Sequence, residues 1–244
     1  GPRQFVAETF IVYTEDGLEY FAKIIKYSKY SQKTIKSLTA LEELYNSGLK
    51  NINHPIRTKS GKFYLLFNNK LIILFNFINA KQTFDFDMAK FGSLVAQIHK
   101  KTDSIKVEID KEAFSPLYSK DFPKMFKKSL NPDPNNKIAQ ELRNYLSPYE
   151  EEMHRDWLTF ERIMNKCKTT SLKFFITHGD PVGNVLKDNG KNIYLVDWDD
   201  IMLAPAERDT WFLIDKPDFF RSYKKMFPEY KVNNLTYSFY LYNR

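Results

Sequence analysis

Phe174-Phe175-Ile176-Thr177-His178-Gly179-Asp180-Pro181-Val182-Gly183-Asn184, with Tyr194-Leu195-Val196-Asp197-Trp198-Asp199-Asp200 beginning ten positions later, is the stretch that decides the reading of this chain. Phe174 to Ile176 is a strand signal. Val185-Leu186 and Ile193 to Val196 flank a turn signal at Asp188-Asn189-Gly190. A hairpin of that kind holds Asn184 and Asp197 near one point, with Asp180 just upstream. Oxygen ligands converging in this way suit Mg²⁺. A separate Asp, able to orient and deprotonate an attacking hydroxyl, completes the pattern of a phosphoryl-transfer site.

Working outward toward the N-terminus, Glu8 to Tyr13 and Glu19 to Ile25 read as strands around a turn at Glu15-Asp16-Gly17. From Ser31, Ile35, Leu38, Leu41, Leu44 and Tyr45 recur at helical spacing until Gly48 stops the run. Phe63 to Phe67 and Leu71 to Phe77 are strands joined by a turn at Asn68-Asn69. From Asp87 to Lys100 a helix places Phe91, Leu94, Val95 and Ile98 on one face. Prolines punctuate the region from Phe114 to Tyr149, ahead of a helix from about Tyr149 to Lys166. Beyond the site, short helices are predicted around Glu207 to Ile214 and Asp218 to Met226, before an aromatic segment from Leu235 to Tyr242.

The chain has 244 residues, 43% of them hydrophobic and 16% aromatic, enough to fill a core, which excludes a disordered chain. Its longest unbroken apolar run, Leu71 to Phe75, is far short of a membrane span, so no membrane partner is expected. No charged-then-apolar leader opens the sequence, and the single cysteine, Cys167, fits a reducing cytoplasm. Lys and Arg number 37 against 30 Asp and Glu, for a formal charge of +7. The lysines are scattered singly and in pairs rather than gathered in a stripe, so a solvated surface is expected and nucleic acid is not.

The segment from His178 to Asp209 resembles the aminoglycoside phosphotransferase and choline kinase-like superfamily. In that pattern His-x-Asp is followed by four residues, an Asn, and later a hydrophobic strand ending in Asp. Within it the spectinomycin phosphotransferase group is the nearest match, through Glu112-Ala113-Phe114-Ser115-Pro116 and the Asp197 to Asp200 run followed by Ala204-Pro205-Ala206-Glu207-Arg208-Asp209. One departure is plain: only three residues separate Asp180 from Asn184 here. The resemblance implies an α+β, bilobal protein-kinase-like fold. Residues 1–77 would form a small antiparallel-sheet N-lobe, and residues 78–244 a mostly helical C-lobe carrying the catalytic loop, metal site and substrate pocket. Only Arg3 to Ala7 precedes the first strand, so the glycine loop over the phosphates is expected to be missing or truncated.

The same resemblance implies the roles. Asp180 is the catalytic base, or the group that aims the substrate hydroxyl. Asp197 and Asn184 hold Mg²⁺, and Lys23, in Phe21-Ala22-Lys23, reaches the phosphates of ATP or GTP. The ion-pair partner of Lys23 should come from the following helix, and Glu42, nearer its apolar face than Glu43, is preferred. His178 is a packing and hydrogen-bonding residue; Arg208 and Asp209 are structural support, Asp209 bonding the catalytic loop. Blander readings stand beside these: Asn184 as a turn residue, Lys23 and Glu42 as surface charges. Asp199 and Asp200 either touch a second ion or the substrate, or are solvated turn acids. His54, His99 and His154 lack metal-ligand spacing. The function implied is phosphate transfer to a hydroxyl of a spectinomycin-like aminocyclitol or aminoglycoside, conferring resistance. Two alternatives remain open: a kinase acting on another small cationic or hydroxylated metabolite such as choline or a sugar, or a kinase-fold binding module of impaired activity.

Overall fold

The structure is a computed structural model that describes residues 7–28 and 31–243. The stretch ahead of Ala7, where the phosphate loop was expected to be missing, lies outside the described residues. The chain is α+β and divides into two compact units. One takes the segments up to Lys111 and Lys173–Val232; the other is built from Glu112–Leu172 and the chain from Asn233 onward.

The first unit begins with strands β1 (Glu8–Tyr13) and β2 (Glu19–Lys26), followed by helix α1 (Ser31–Asn46), β3 (Leu65–Phe67) and β4 (Lys70–Asn76). The strands form one antiparallel sheet in the order β1-β2-β4-β3. Asn68 and Asn69 both take positive φ, as a two-residue turn between β3 and β4 requires, and Asn tolerates that region. Side chains alternate along β4, so Leu71, Ile73 and Phe75 are buried on the face that also carries Phe21, Lys23 and Ile25 of β2. Lys23 is therefore aimed inward by register, not left among the surface lysines.

After the two-residue strand β5 (Lys81–Gln82) comes α2 (Met88–Lys100), capped by Asp87, whose carboxylate accepts from the amides of Ala89 and Lys90. Phe91, Leu94, Val95 and Ile98 are buried along it, each contributing about 1.5 to 3 kcal/mol by leaving water. Gly92 explains the closeness of α2 to a later helix of this unit: a Cβ there would overlap the carbonyl oxygen of Phe219.

The remaining elements of this unit are short. Strands β6 (Phe175–Thr177), β7 (Val185–Lys187), β8 (Ile193–Leu195) and β9 (Met202–Ala204) are three residues each. Two of them, β7 and β8, make the predicted hairpin, with β5 on its outer side. Strand β6, ahead of the His178–Asn184 loop, does not join this hairpin: it pairs with β9, an element the sequence pattern does not reveal. The four-residue Glu207–Thr210 helix and the Pro217–Met226 helix close the unit.

The second unit is helical. Helices Phe122–Leu130, Lys137–Leu146, Glu150–Thr169 and Asn234–Asn243 make it up, with Phe160 packed against Phe239, and Phe239 against Phe114. Cys167 is buried here, and burial first, then Glu112, pushes its thiol up to about 11. Among the described residues no helix is long and apolar enough to cross a membrane.

Candidate active site

Strand β6 ends in Thr177, and the chain then turns through His178 and Gly179 to reach Asp180. Gly179 has φ +98°, and a Cβ there would collide with the guanidinium of Arg208, so only glycine fits. The buried Arg208 donates from Nη1 to Oγ1 of Thr177 at 2.9 Å. Asp209 accepts from the backbone N–H of His178 at 2.8 Å and of Gly179 at 2.7 Å, one bond to each carboxylate oxygen. His99 of α2 reaches the same carboxylate through Nε2 at 3.2 Å, and its Nδ1 lies 2.6 Å from the Tyr223 hydroxyl. Burial opposes the charge on Asp209, but the bond and field of His99, then Arg208 and His178, outweigh it and hold the carboxyl below its usual range.

His178 is fully enclosed, its ring edge-on to Trp198. Its Nε2 lies 2.9 Å from the Val196 carbonyl, which can only accept, so Nε2 carries the proton. Nδ1 then accepts from the Asp180 backbone N–H at 3.3 Å. Burial pushes the pKa of His178 down, and both nitrogens are committed, so the ring ties strand ends together and has no free position for proton transfer.

The next turn faces water. Asp180 is exposed at the start of the single 3₁₀ turn Val182–Asn184. The Asn184 amide nitrogen donates to the Asp180 carbonyl at 2.8 Å, and the Asn184 carbonyl accepts from Val196 N–H at 3.0 Å. Asn184 is thus tied to the backbone of Asp180 on one side and of Val196, the residue before Asp197, on the other. Gln82 helps to hold that loop, donating to the Gly183 carbonyl at 2.6 Å. Asp197 takes φ +64°, a left-handed conformation that non-glycine residues adopt at a cost of about 1 kcal/mol. Such local strain is held in place by its surroundings; here Trp198 is buried and its Nε1 donates to Leu195 O at 3.0 Å.

Lys23 comes down from the sheet onto this acidic run. Its Nζ lies 2.8 Å from Asp197 and 2.6 Å from Asp199, with side-chain exposures of 13% for Lys23, 52% for Asp197 and 27% for Asp199. Burial works against the ammonium, but Asp199 and then Asp197 outweigh it and raise its pKa. Burial likewise lifts the Asp199 carboxyl above its usual value, against the pull of Lys23. Asp200 faces Lys33 of α1 at 3.6 Å.

Glu42 requires a correction. Expected as the partner of Lys23, it is held by Arg57, whose Nε donates to Oε1 at 2.7 Å and whose Nη2 donates to Oε2. Glu42 is half-buried on α1, and a guanidinium fork from the following loop matches its carboxylate in two places and takes it. His99 has no metal-ligand spacing and belongs to no motif in the sequence. The available signal was its position eight after Phe91 and four after Val95, on the apolar stripe of α2, where a buried His needs a partner.

This constellation, an inward lysine above an acidic strand end, sits on an α+β frame of the kinase-like class. The fold is that of the aminoglycoside phosphotransferase and choline kinase-like superfamily, bilobal and kinase-like. A spectinomycin phosphotransferase solved with ADP and spectinomycin superposes with a TM-score of 0.78 at 27% identity, covering 98% of this chain and 75% of that one. Solved with AMP, a spectinomycin phosphotransferase gives 0.76 at 26% identity, covering 98% and 80%. An aminoglycoside phosphotransferase from Alicyclobacillus acidocaldarius, at 0.61 and 17% identity over 96% and 70%, shares the fold alone. No protein-family model and no curated protein matches the chain. It is a kinase-fold enzyme.

Proposed function

We propose that this chain transfers the γ-phosphoryl group of ATP or GTP to a hydroxyl of an aminocyclitol or aminoglycoside of the spectinomycin type, and so confers resistance. The observation that supports the reading is Asn184, hydrogen-bonded to the backbone of Asp180 and of Val196, next to Asp197, onto which the inward Lys23 is ion-paired. The likeness at 27% identity to an enzyme solved with spectinomycin supports the acceptor class.

In the proposed step the acceptor oxygen forms a bond to the γ-phosphorus while the bond from that phosphorus to the β–γ bridging oxygen breaks. The hydroxyl proton passes to Asp180, and nucleoside diphosphate leaves. Asp180 suits this task because it is exposed and its backbone is fixed on both sides, by His178 Nδ1 and by Asn184. Holding the hydroxyl in line is the larger part of such catalysis. Lys23 offers its charge to the donor phosphates. Asp199 and Asp200 continue the same acidic run, Asp199 paired with Lys23 and Asp200 with Lys33.

The donor set fits Mg²⁺. Asn184 commits its amide nitrogen to Asp180, which leaves the amide oxygen for a cation, and Asp197 adds an exposed carboxylate. Among the described residues no three His, Cys, Asp or Glu side chains cluster as a metal cage. Mg²⁺ does not need one, since it takes one or two protein oxygens and completes its shell with water and phosphate. When bound it would screen the phosphate charge.

The test is direct. The purified chain is incubated with Mg²⁺, ATP or GTP, and a panel of aminocyclitols, aminoglycosides and choline, and the phosphate ester is detected by mass spectrometry. Spectinomycin should be phosphorylated. Asp180→Ala should lower turnover by about 10² to 10⁴ while nucleotide binding persists. Transfer to choline alone would move the acceptor class, and turnover that survives Asp180→Ala would remove the proposed base.

A further inference from the structure

We infer that Asp199 is the positioning residue that aims Lys23 at the donor phosphates, in the place expected of the helix carboxylate Glu42. The inference rests on the kinase reading above and concerns the same site.

A lysine ammonium on a four-carbon stem is a mobile point charge, and it needs a fixed acceptor before its direction is defined. Lys23 is almost enclosed, so that acceptor must be a protein group. Glu42 is not available. Arg57 grips both its oxygens, and Arg57 is itself anchored by donating to the Gly61 carbonyl and by lying 4.0 Å over the ring of the buried Phe63. Freeing Glu42 would break both of its bonds to Arg57 and leave Arg57, still held by Gly61 and Phe63, without its counter-charge.

Two carboxylates do reach Lys23, and they differ. Asp197 is half exposed and stands in the donor set proposed for the cation, so a bound nucleotide draws its charge away from Lys23. Asp199 is the more enclosed and makes the shorter contact, 2.6 Å. The segment carrying it is fixed: Trp198 is buried, hydrogen-bonded to Leu195 O and packed on His178. Asp200, next along, pairs with Lys33 of α1. Asp199 is thus the acceptor that stays with Lys23 when Asp197 is otherwise engaged.

Wild type, Asp199→Asn, Asp199→Glu, Glu42→Gln, Lys23→Met and the Lys23→Met/Asp199→Asn double variant are compared by calorimetric titration with ADP and by kinetics varying nucleotide and acceptor separately. Thermal unfolding of each variant checks that it is folded. Asp199→Asn should raise the nucleotide Kd and KM about tenfold, the scale of one lost charge-assisted contact, and leave the acceptor KM within about twofold. Asp199→Glu should recover part of the loss, and Glu42→Gln should bind nucleotide as wild type does. The double variant should be no worse than Lys23→Met alone, because both changes remove one interaction. A rise in acceptor KM alone on Asp199→Asn, or a nucleotide defect in Glu42→Gln without one in Asp199→Asn, overturns the inference and leaves the kinase reading standing. A wild-type chain that binds no nucleotide overturns both.

Discussion

Thr177 to Gly179 and Asp180 to Asn184 are consecutive in the chain, yet they are built on opposite principles. The first segment is buried, and its polar atoms are met by Arg208, Asp209 and the Val196 carbonyl. The second is partly buried and is fixed chiefly through its backbone, leaving Asp180 exposed. A buried carboxylate such as Asp209 is tolerable only when donors surround it, and donors that surround it are no longer free for chemistry. Among the described residues, the buried side-chain atoms lacking a partner are Asn53 Oδ1 and His54 Nδ1, and neither belongs to this network. Under the proposed function, rigidity and reactivity fall to neighbouring residues: Asp209 holds the loop, and Asp180 is the carboxylate left open to act.

The most severe test of that contrast is Asp209→Ala. It strips acceptors from two backbone amides and from His99, and leaves Arg208 buried without its nearby counter-charge. Breaking a buried charged network by removing one partner costs about 3 to 5 kcal/mol. For a chain of this size the midpoint of thermal unfolding should fall on the order of 10 °C. Asp180→Ala, three residues from the loop's start, should leave that midpoint within about 1 °C, as expected for an exposed side chain away from such features. Equal shifts for the two variants would erase the distinction between holding and acting residues.

A smaller effect follows from His178. Burial depresses its pKa, so the unfolded chain takes up a proton near pH 6.5 that the folded chain refuses. The stability this contributes is fully present above about pH 6.5 and is lost as pH falls toward the folded value, by up to about 1.4 kcal/mol per pH unit. His54 shifts in the same direction, also chiefly through burial, so wild type alone does not isolate His178. Denaturant titrations from pH 7.5 to 5 on wild type and His178→Gln, which keeps a donor for the Val196 carbonyl, make the separation. The variant should lose less stability over that range. Asp209 works in a different window, because its depressed pKa withdraws stability only at pH values below about 4. Parallel curves for the two proteins would mean that His178 is not held neutral.

What could be read from the sequence follows the same division. Local patterns located the sheet strands, α1, α2 and the β7–β8 hairpin, because alternation, helical spacing and turn residues are properties of neighbours in the chain. The motif order around His178 to Asp209 was legible for the same reason. Relations across long separations were not. Strand β9 is only three residues between an acidic run and a proline, too short to show a period. The bond from His99 to Asp209 spans 110 positions. Glu42 was a choice between two surfaces of one helix, and periodicity says which way a carboxylate points, not which cation arrives there first. Arg57, fifteen residues on, was invisible to that reasoning.

The gentlest test concerns that last pair. Glu42 and Arg57 form a two-pronged ion pair near the surface, with Arg57 also lying over Phe63. Because both partners are partly exposed, solvent screening limits the pair, and Arg57→Ala should destabilise the protein by about 1 kcal/mol, part of it from the lost ring contact. The loss should shrink in high salt, which weakens the charge pair and leaves the packing. Deletion of Arg57 also frees Glu42. If Asp199 alone orients Lys23, nucleotide affinity should not change when this happens, since nothing at Lys23 has been removed. A gain in affinity in Arg57→Ala would show that Glu42, once released, turns toward Lys23. Arg57 would then be the contact that divides the buried frame of α1 from the chemistry below it.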